Sequence, residues 1–155
     1  MDEWGRRLIA LALVIIANIV PWAVGRLFGR RLRTPLDFGL RLRDGSPVLG
    51  EHKTWRGLIA GAIACGLAAQ LVGLGFVLGA AFAILSLAAD AASSFVKRRL
   101  RLAPGYEYPL LDQLPEALLP LIVLSQLLGL NLIECFAIAV AFLLLDLAAT
   151  RVRHA

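Results

Sequence analysis

Asp90, Ser94, Lys97 and Arg101 sit at spacings that align them on a helix. At about 100° per residue they fall within roughly 60° of one another, and Arg98 and Asp112 follow closely in the chain. One stripe thus presents an acid, a hydroxyl and two cations where an apolar run ends. An ionisable group inside hydrocarbon is costly enough to suggest function by default. A second polar stretch supplies Asp37, Lys53, Thr54 and Arg56. Carboxylates that hold Mg²⁺, with cations that neutralise phosphate charge, are what metal-assisted phosphoryl or nucleotidyl transfer requires. A plainer alternative stands beside this. The lysines and arginines can be snorkelling topology signals, with Asp90 paired to one of them and Asp37 a turn residue after Pro35.

These residues need a membrane scaffold. Of the 155 residues, 59% are hydrophobic and only 17% charged. The excess lies in long runs, which predicts an all-α, polytopic integral membrane protein with one domain over 1–155. Residues 8–28 form the first span, held as an anchor by the arginines after it. Pro21 predicts a kink, and Asn18 calls for a partner on another helix or in a wet cavity. The run Leu58–Ala89 is 32 residues long, too long for one span of about 20. Gly73 and Gly75 divide it into helices near 56–72 and 75–94. A second hairpin, 113–128 and 132–149, turns at Gly129-Leu130-Asn131, with a kink expected at Pro120. Glu134 reads as an end residue, and Asp146 as a lone acid pairing with an arginine or capping a helix contact. Turn signals fall at Asp44-Gly45, Pro47 and Pro104-Gly105.

Fourteen of the sixteen Lys and Arg residues lie on one side of this five-span arrangement; Arg6 and Arg7 are the other two. The positive-inside rule puts the N-terminus outside and the 29–56 and 95–112 loops, with the C-terminus, in the cytoplasm of the inner or plasma membrane. The net charge of +5 favours anionic partners. No zinc-finger spacing or aromatic-rich basic patch supports nucleic acid among them. Cys65 and Cys135 lie in apolar runs and form no disulfide or metal pattern. Gly50-Glu51-His52-Lys53-Thr54 lacks the glycine pattern and preceding strand of a P-loop, and His52 reads as interfacial. The polar groups gather at one face rather than at mid-membrane, which disfavours a transporter. A non-catalytic scaffold for anionic lipid remains as the alternative from another class.

Several motifs resemble the CDP-archaeol synthases, integral-membrane CTP transferases related to bacterial CDP-diacylglycerol synthases. They are Asn18-Ile-Val-Pro21, Pro35-Leu-Asp37-Phe-Gly39, Gly50-Glu-His-Lys53-Thr-Trp-Arg-Gly57, Asp90-Ala-Ala-Ser-Ser94-Phe-Val-Lys97-Arg-Arg-Leu100 and Leu111-Asp112-Gln113. The resemblance implies a five-span enzyme whose cytoplasmic loops bind CTP with Mg²⁺. It places Lys53, Thr54, Arg56, Ser94, Lys97 and Arg98, with Asp37, around the nucleotide, and Asp90 and Asp112 at the metal. Lys53, Asp90, Lys97 and Asp112 are then the catalytic set. The implied reaction joins a lipid phosphate to CMP from CTP, releasing pyrophosphate. Ala89 stands where the family usually has glycine, and Pro115 where an aspartate often follows Asp-Gln-Leu. Glu116, four residues after Asp112, is the residue placed to substitute. The choice between ether and ester lipids, and whether the chain forms a homo-oligomer, are left open.

Overall fold

Asp2 starts the first helix by accepting the Gly5 amide on its side chain (3.1 Å), so α1 runs Glu3–Phe28. It thus begins a turn earlier than its apolar run, and it continues unbroken through Pro21. The computed structural model describes residues 2–29, 31–41, 45, 48–49, 53–100 and 108–154. The sequence features at Asp44, Pro47, Gly50, Glu51, His52, Arg101 and Pro104-Gly105 lie outside those residues. The remaining helices are α2 (Trp55–Leu71), α3 (Phe76–Arg99), α4 (Pro109–Val123), α5 (Ser125–Leu128) and α6 (Leu132–His154). An isolated antiparallel bridge pairs Pro35 with Thr54.

Both expected hairpin turns are present. Gly73 (φ 80°), Gly75 (φ 87°) and Gly129 (φ 66°) adopt left-handed backbone at these turns, which glycine does without steric cost. Two boundaries differ from the sequence expectation. The third helix continues to Arg99, because its basic last turn suits the negative end of the helix dipole. The fourth begins at Pro109, a residue suited to a first helical turn, and gives way at Leu124 to the short α5.

The helices pack in a chain: α2 lies against α1 and α3, α3 against α4, and α4 against α6, while α1 also touches α3 and α6. Small residues set these distances. A Cβ on Gly79 would lie 2.1 Å from the Cys65 carbonyl oxygen, so α2 and α3 approach backbone to backbone. Cβ atoms on Gly57 or Gly61 would each come 3.3 Å from the Pro21 ring, so α2 is seated directly on that proline. The core is apolar, built on Leu13, Val14, Phe82, Leu121 and Phe142. So is the outside: Val77 is 80% and Ile133 82% exposed. A bundle apolar on both sides has hydrocarbon as its solvent.

Three helices are long and apolar enough to cross a membrane: Glu3–Phe28, Phe76–Arg99 and Leu132–Arg151. The 17 residues of α2 rise only about 26 Å at 1.5 Å each, slightly short of a hydrocarbon core of about 30 Å. The α4–α5 pair is interrupted at Leu124.

Candidate active site

The up-and-down order brings the C-terminal ends of α1, α3 and α6 to the same end of the bundle as the N-terminal ends of α2 and α4. That end holds the polar motifs. Residues 34–36 run beside 53–55: Leu36 donates its amide to the Lys53 carbonyl (2.7 Å), and Trp55 to that of Thr34 (3.1 Å). Thr54 then starts α2 by accepting the Gly57 amide on its hydroxyl (3.3 Å), a cap worth about 1 kcal/mol. This short pairing and the cap fix the backbone on either side of Lys53.

Lys53 reaches across to α3, where its ammonium donates to Asp90 Oδ2. The pair lies at one wall of a cavity of about 600 Å³ formed chiefly by α1, α2 and the loop between them. Asn18, Pro21, Trp22, Arg26, Arg33, Thr54 and Arg56 also line it. Arg56 donates to the carbonyl oxygens of Gly25 (3.2 Å) and Arg31, fastening the end of α1 to α2 while its guanidinium borders the cavity. The Arg26 guanidinium lies 5.5 Å over the Trp22 ring. In the sequence Arg26 and Arg33 read only as a stop-transfer flank. The available signal was Trp22 and Arg26 at a spacing of four, which puts an aromatic and a cation on one helix face.

A second ion pair lies at the α3–α4 junction, where Lys97 Nζ is 2.6 Å from Asp112 Oδ1. The other Asp112 oxygen accepts the Tyr108 amide (3.0 Å), reaching back to cap α4. Asp90 and Asp112 are thus both brought to this end, each held by a lysine. Ser94 is buried one turn after Asp90, and Ser93 donates to the Asp90 carbonyl (2.9 Å). Asp37 is also buried, but as a loop staple. It accepts the amides of Gly39 (3.0 Å) and Leu49 (2.8 Å) and is not among the cavity-lining residues. Arg98 is half-buried in the last turn of α3 and likewise does not line the cavity.

Asn18 and Asp146 each follow the second alternative their sequence offers, a cavity for Asn18 and a helix contact for Asp146. Asn18 bonds within its own helix, donating to the Val14 carbonyl (2.9 Å), and its side chain faces the cavity rather than a neighbouring helix. Asp146 accepts from Gln113 on α4 instead of meeting an arginine.

Beside the ion pairs lies an apolar groove of about 460 Å³ between α3 and α4, lined by Ala89, Ala92, Val96, Leu111, Leu118 and Ile122 among others. Ala89 and Leu111 directly precede Asp90 and Asp112 in the chain, so the groove adjoins the charged residues. The arrangement offers a polar cavity bordered by cations and the Lys53–Asp90 pair, and an apolar slot on a neighbouring face of α3. It suits a ligand that is anionic at one part and apolar at another.

Comparison with known proteins agrees with this geometry. The family described as CarS-like CDP-archaeol synthase matches residues 6–152. A CDP-archaeol synthase of Aeropyrum pernix is 41% identical over 157 residues, covering 96% of this chain and 86% of that protein. One from Thermofilum pendens is 41% identical over 104 residues, covering 64% of this chain and 51% of that protein. A solved structure described as an intramembrane enzyme for archaeal membrane lipid biosynthesis superposes with a TM-score of 0.72. It is 40% identical, with 92% of this chain and 91% of that one covered. With the family matched across nearly the whole chain, the protein belongs to the CDP-archaeol synthase family.

Proposed function

We propose that this chain is a membrane cytidylyltransferase that joins CMP from CTP to a glycerol-based, ether-linked lipid phosphate, giving a CDP-archaeol-like lipid and pyrophosphate. A lipid phosphate oxygen attacks the α-phosphorus of CTP; the new P–O bond forms as the bond to the departing pyrophosphate breaks. The observation that carries this reading is a pair of unlike spaces on neighbouring faces of α3: a cavity with Lys53, Thr54, Arg56 and Asp90, and an apolar groove whose lining includes Ala89 and Ser93, close to Asp90 in the chain. CTP occupies the first, and a lipid chain lies in the second with its phosphate toward Asp90.

Asp90 and Asp112 fit a hard divalent cation. Both are oxygen donors near a space large enough for phosphates. Among the described residues no three Asp, Glu, His or Cys side chains gather as a closed metal cage. One or two carboxylates completed by substrate phosphates and water is the usual Mg²⁺ arrangement. When bound, Mg²⁺ supplies Lewis acidity and neutralises charge on the reacting phosphates. Lys53 and Lys97 are the cations paired with these two carboxylates. With a cation bound, Asp90 and Asp112 would hold it, and Lys53 and Lys97 would be free to pair with the phosphates of the nucleotide. No charge is left unpaired, which matters where water is scarce. Lys53 and Lys97, with Arg98 nearby, then stabilise the leaving pyrophosphate, while Thr54 and Arg56 hold the cavity wall. Asp37 shapes the loop that borders the nucleotide.

The orientation that puts CTP within reach has the N-terminus outside and both motif loops cytoplasmic, with five crossings formed by α1, α2, α3, α4–α5 and α6. An accessible tag at Ala155 in the cytoplasm and one before Glu3 outside is the expected outcome. The deciding assay is purified protein with CTP, Mg²⁺ and a panel of ether- and ester-linked lipid phosphates. CDP-lipid formation with ether lipids is expected, and its absence with every lipid overturns the enzymatic reading.

A further inference from the structure

Glu116 lies in the second turn of α4, four residues after Asp112 and therefore on the same helix face. It is only 8% exposed, and it makes no hydrogen bond or ion pair with any described residue. A carboxylate buried this deeply without a partner is expensive and needs an explanation. Its charged surroundings come from four elements. They are Asp90 on α3, Lys53 just before α2, Asp146 on α6 and Asp112 on its own helix.

The charges around it do not balance. Lys53 and Lys97 are committed to Asp90 and Asp112, and Asp146 is held by the neutral Gln113. Among the described residues this leaves Glu116 and Asp146 without a cationic partner. A second buried acceptor faces the same difficulty: the Gln113 side-chain oxygen has no donor. Two carboxylates and one amide oxygen around α4 are thus left without a partner cation or donor among the described residues.

We infer that Glu116 is the outer carboxylate of the cation site, buried one turn along α4 from Asp112, and that it raises the affinity of the cation held by Asp90 and Asp112 without itself being a ligand. This rests on the cation assignment in the proposed function. It agrees with the absence of a three-acid cage among the described residues, since an outer carboxylate acts through charge and through cation-bound water. Partners of this kind are typically worth 10- to 100-fold in metal affinity. The plainer alternative is a neutral, protonated Glu116 that only fills space. Gln is the near-isosteric mimic of that form, which makes the two ideas separable.

The test follows the thermal midpoint of the detergent-solubilised full chain through a Mn²⁺ titration, with and without CTP, so the readout is cation binding and not turnover. Glu116→Gln should need about 10-fold more Mn²⁺ for half its stabilisation. Glu116→Asp, which keeps the charge, should stay within about 3-fold of the unaltered protein on the same scale. A Glu116→Gln titration matching the unaltered protein overturns the inference, and so does an equal weakening of both variants, which would point to packing. Asp90→Asn, run alongside, separates the two levels. If it also titrates like the unaltered protein, the cation assignment itself falls. If Asp90→Asn loses the response while Glu116→Gln keeps it, only the role of Glu116 falls.

Discussion

Two ends of the bundle use the same kinds of residue to different effect. At the end where α1 and α6 begin, Glu134 has both carboxylate oxygens engaged. One takes Arg7 (2.7 Å from Nε) and the other the Asn131 amide (2.8 Å). Asn131 returns the bond by accepting the Glu134 amide (2.9 Å), a reciprocal cap. Arg7 also reaches Glu3 one turn earlier (3.2 Å). At the opposite end Lys53 holds Asp90 at a cavity and Lys97 holds Asp112, while Glu116 makes no hydrogen bond or ion pair with any described residue. The first end is a clasp joining two helix starts, in which both Glu134 oxygens are taken, while Arg6 Nε beside it is buried without an acceptor among the described residues. The second keeps charge in excess of what folding consumes. Where a carboxylate is buried and unsatisfied, the missing partner is a candidate ligand.

The strongest way to break this contrast is at Lys53. Lys53→Ala, and Lys97→Ala in parallel, should each lower CTP-dependent CDP-lipid formation by at least about 100-fold while inserting into the membrane normally. Near-normal turnover in both would make the lysines topology signals and reduce the two ends to the same kind of structure.

Asp90→Asn comes next. It should abolish the Mg²⁺-CTP-induced rise in thermal midpoint and most of the turnover. Sequence reasoning alone suggests that it relieves repulsion between converging carboxylates. The ion pair with Lys53 changes that expectation, because the variant leaves an ammonium without its counter-charge. A loss of about 2 kcal/mol in the ligand-free protein is expected from this partly buried pair, measured by unfolding in detergent. Gained stability would mean that repulsion, not pairing, governs the site.

A smaller effect sharpens the line between the polar cavity and the apolar groove. Leu118→Trp fills the groove between α3 and α4, and should raise KM for the lipid phosphate about 5-fold, roughly 1 kcal/mol, with KM for CTP unchanged. An equal rise in both would merge the two spaces into one. Smallest in its effect on activity is the clasp: Glu134→Ala should cost about 1–2 kcal/mol of stability and change turnover less than about 2-fold. A large loss of turnover without loss of stability would show that the two ends communicate.

Much of the scaffold was legible along the chain, because membrane helices announce themselves locally. Runs of apolar residues, glycines at Gly73, Gly75 and Gly129, and the basic flanks each depend on a few neighbouring residues. The departures are local too. Asp2 extended α1, the basic last turn extended α3, and the turn at Leu124 cut α5 from α4. The acids and lysines at the site were also visible as residue types. Asp37 was foreseen both as a turn residue and as a nucleotide contact, and its bonds to Gly39 and Leu49 follow the turn.

The sequence by itself determined that this is an all-helical membrane chain with its charge gathered at one end, since hydropathy and positive charge act on each segment separately. Only the tertiary structure decided who meets whom. Lys53 and Asp90 are 37 residues apart, and helical periodicity gives each a face without naming the helix that will cover it. That choice was made by close packing. Gly57 and Gly61 seat α2 on Pro21, and Gly79 brings α3 against Cys65, which carries Lys53 and Asp90 within reach. The same packing buried Glu116 among Asp90, Asp112 and Asp146. A carboxylate's surroundings are the sum of charges from several helices, and no single stretch of chain contains that sum.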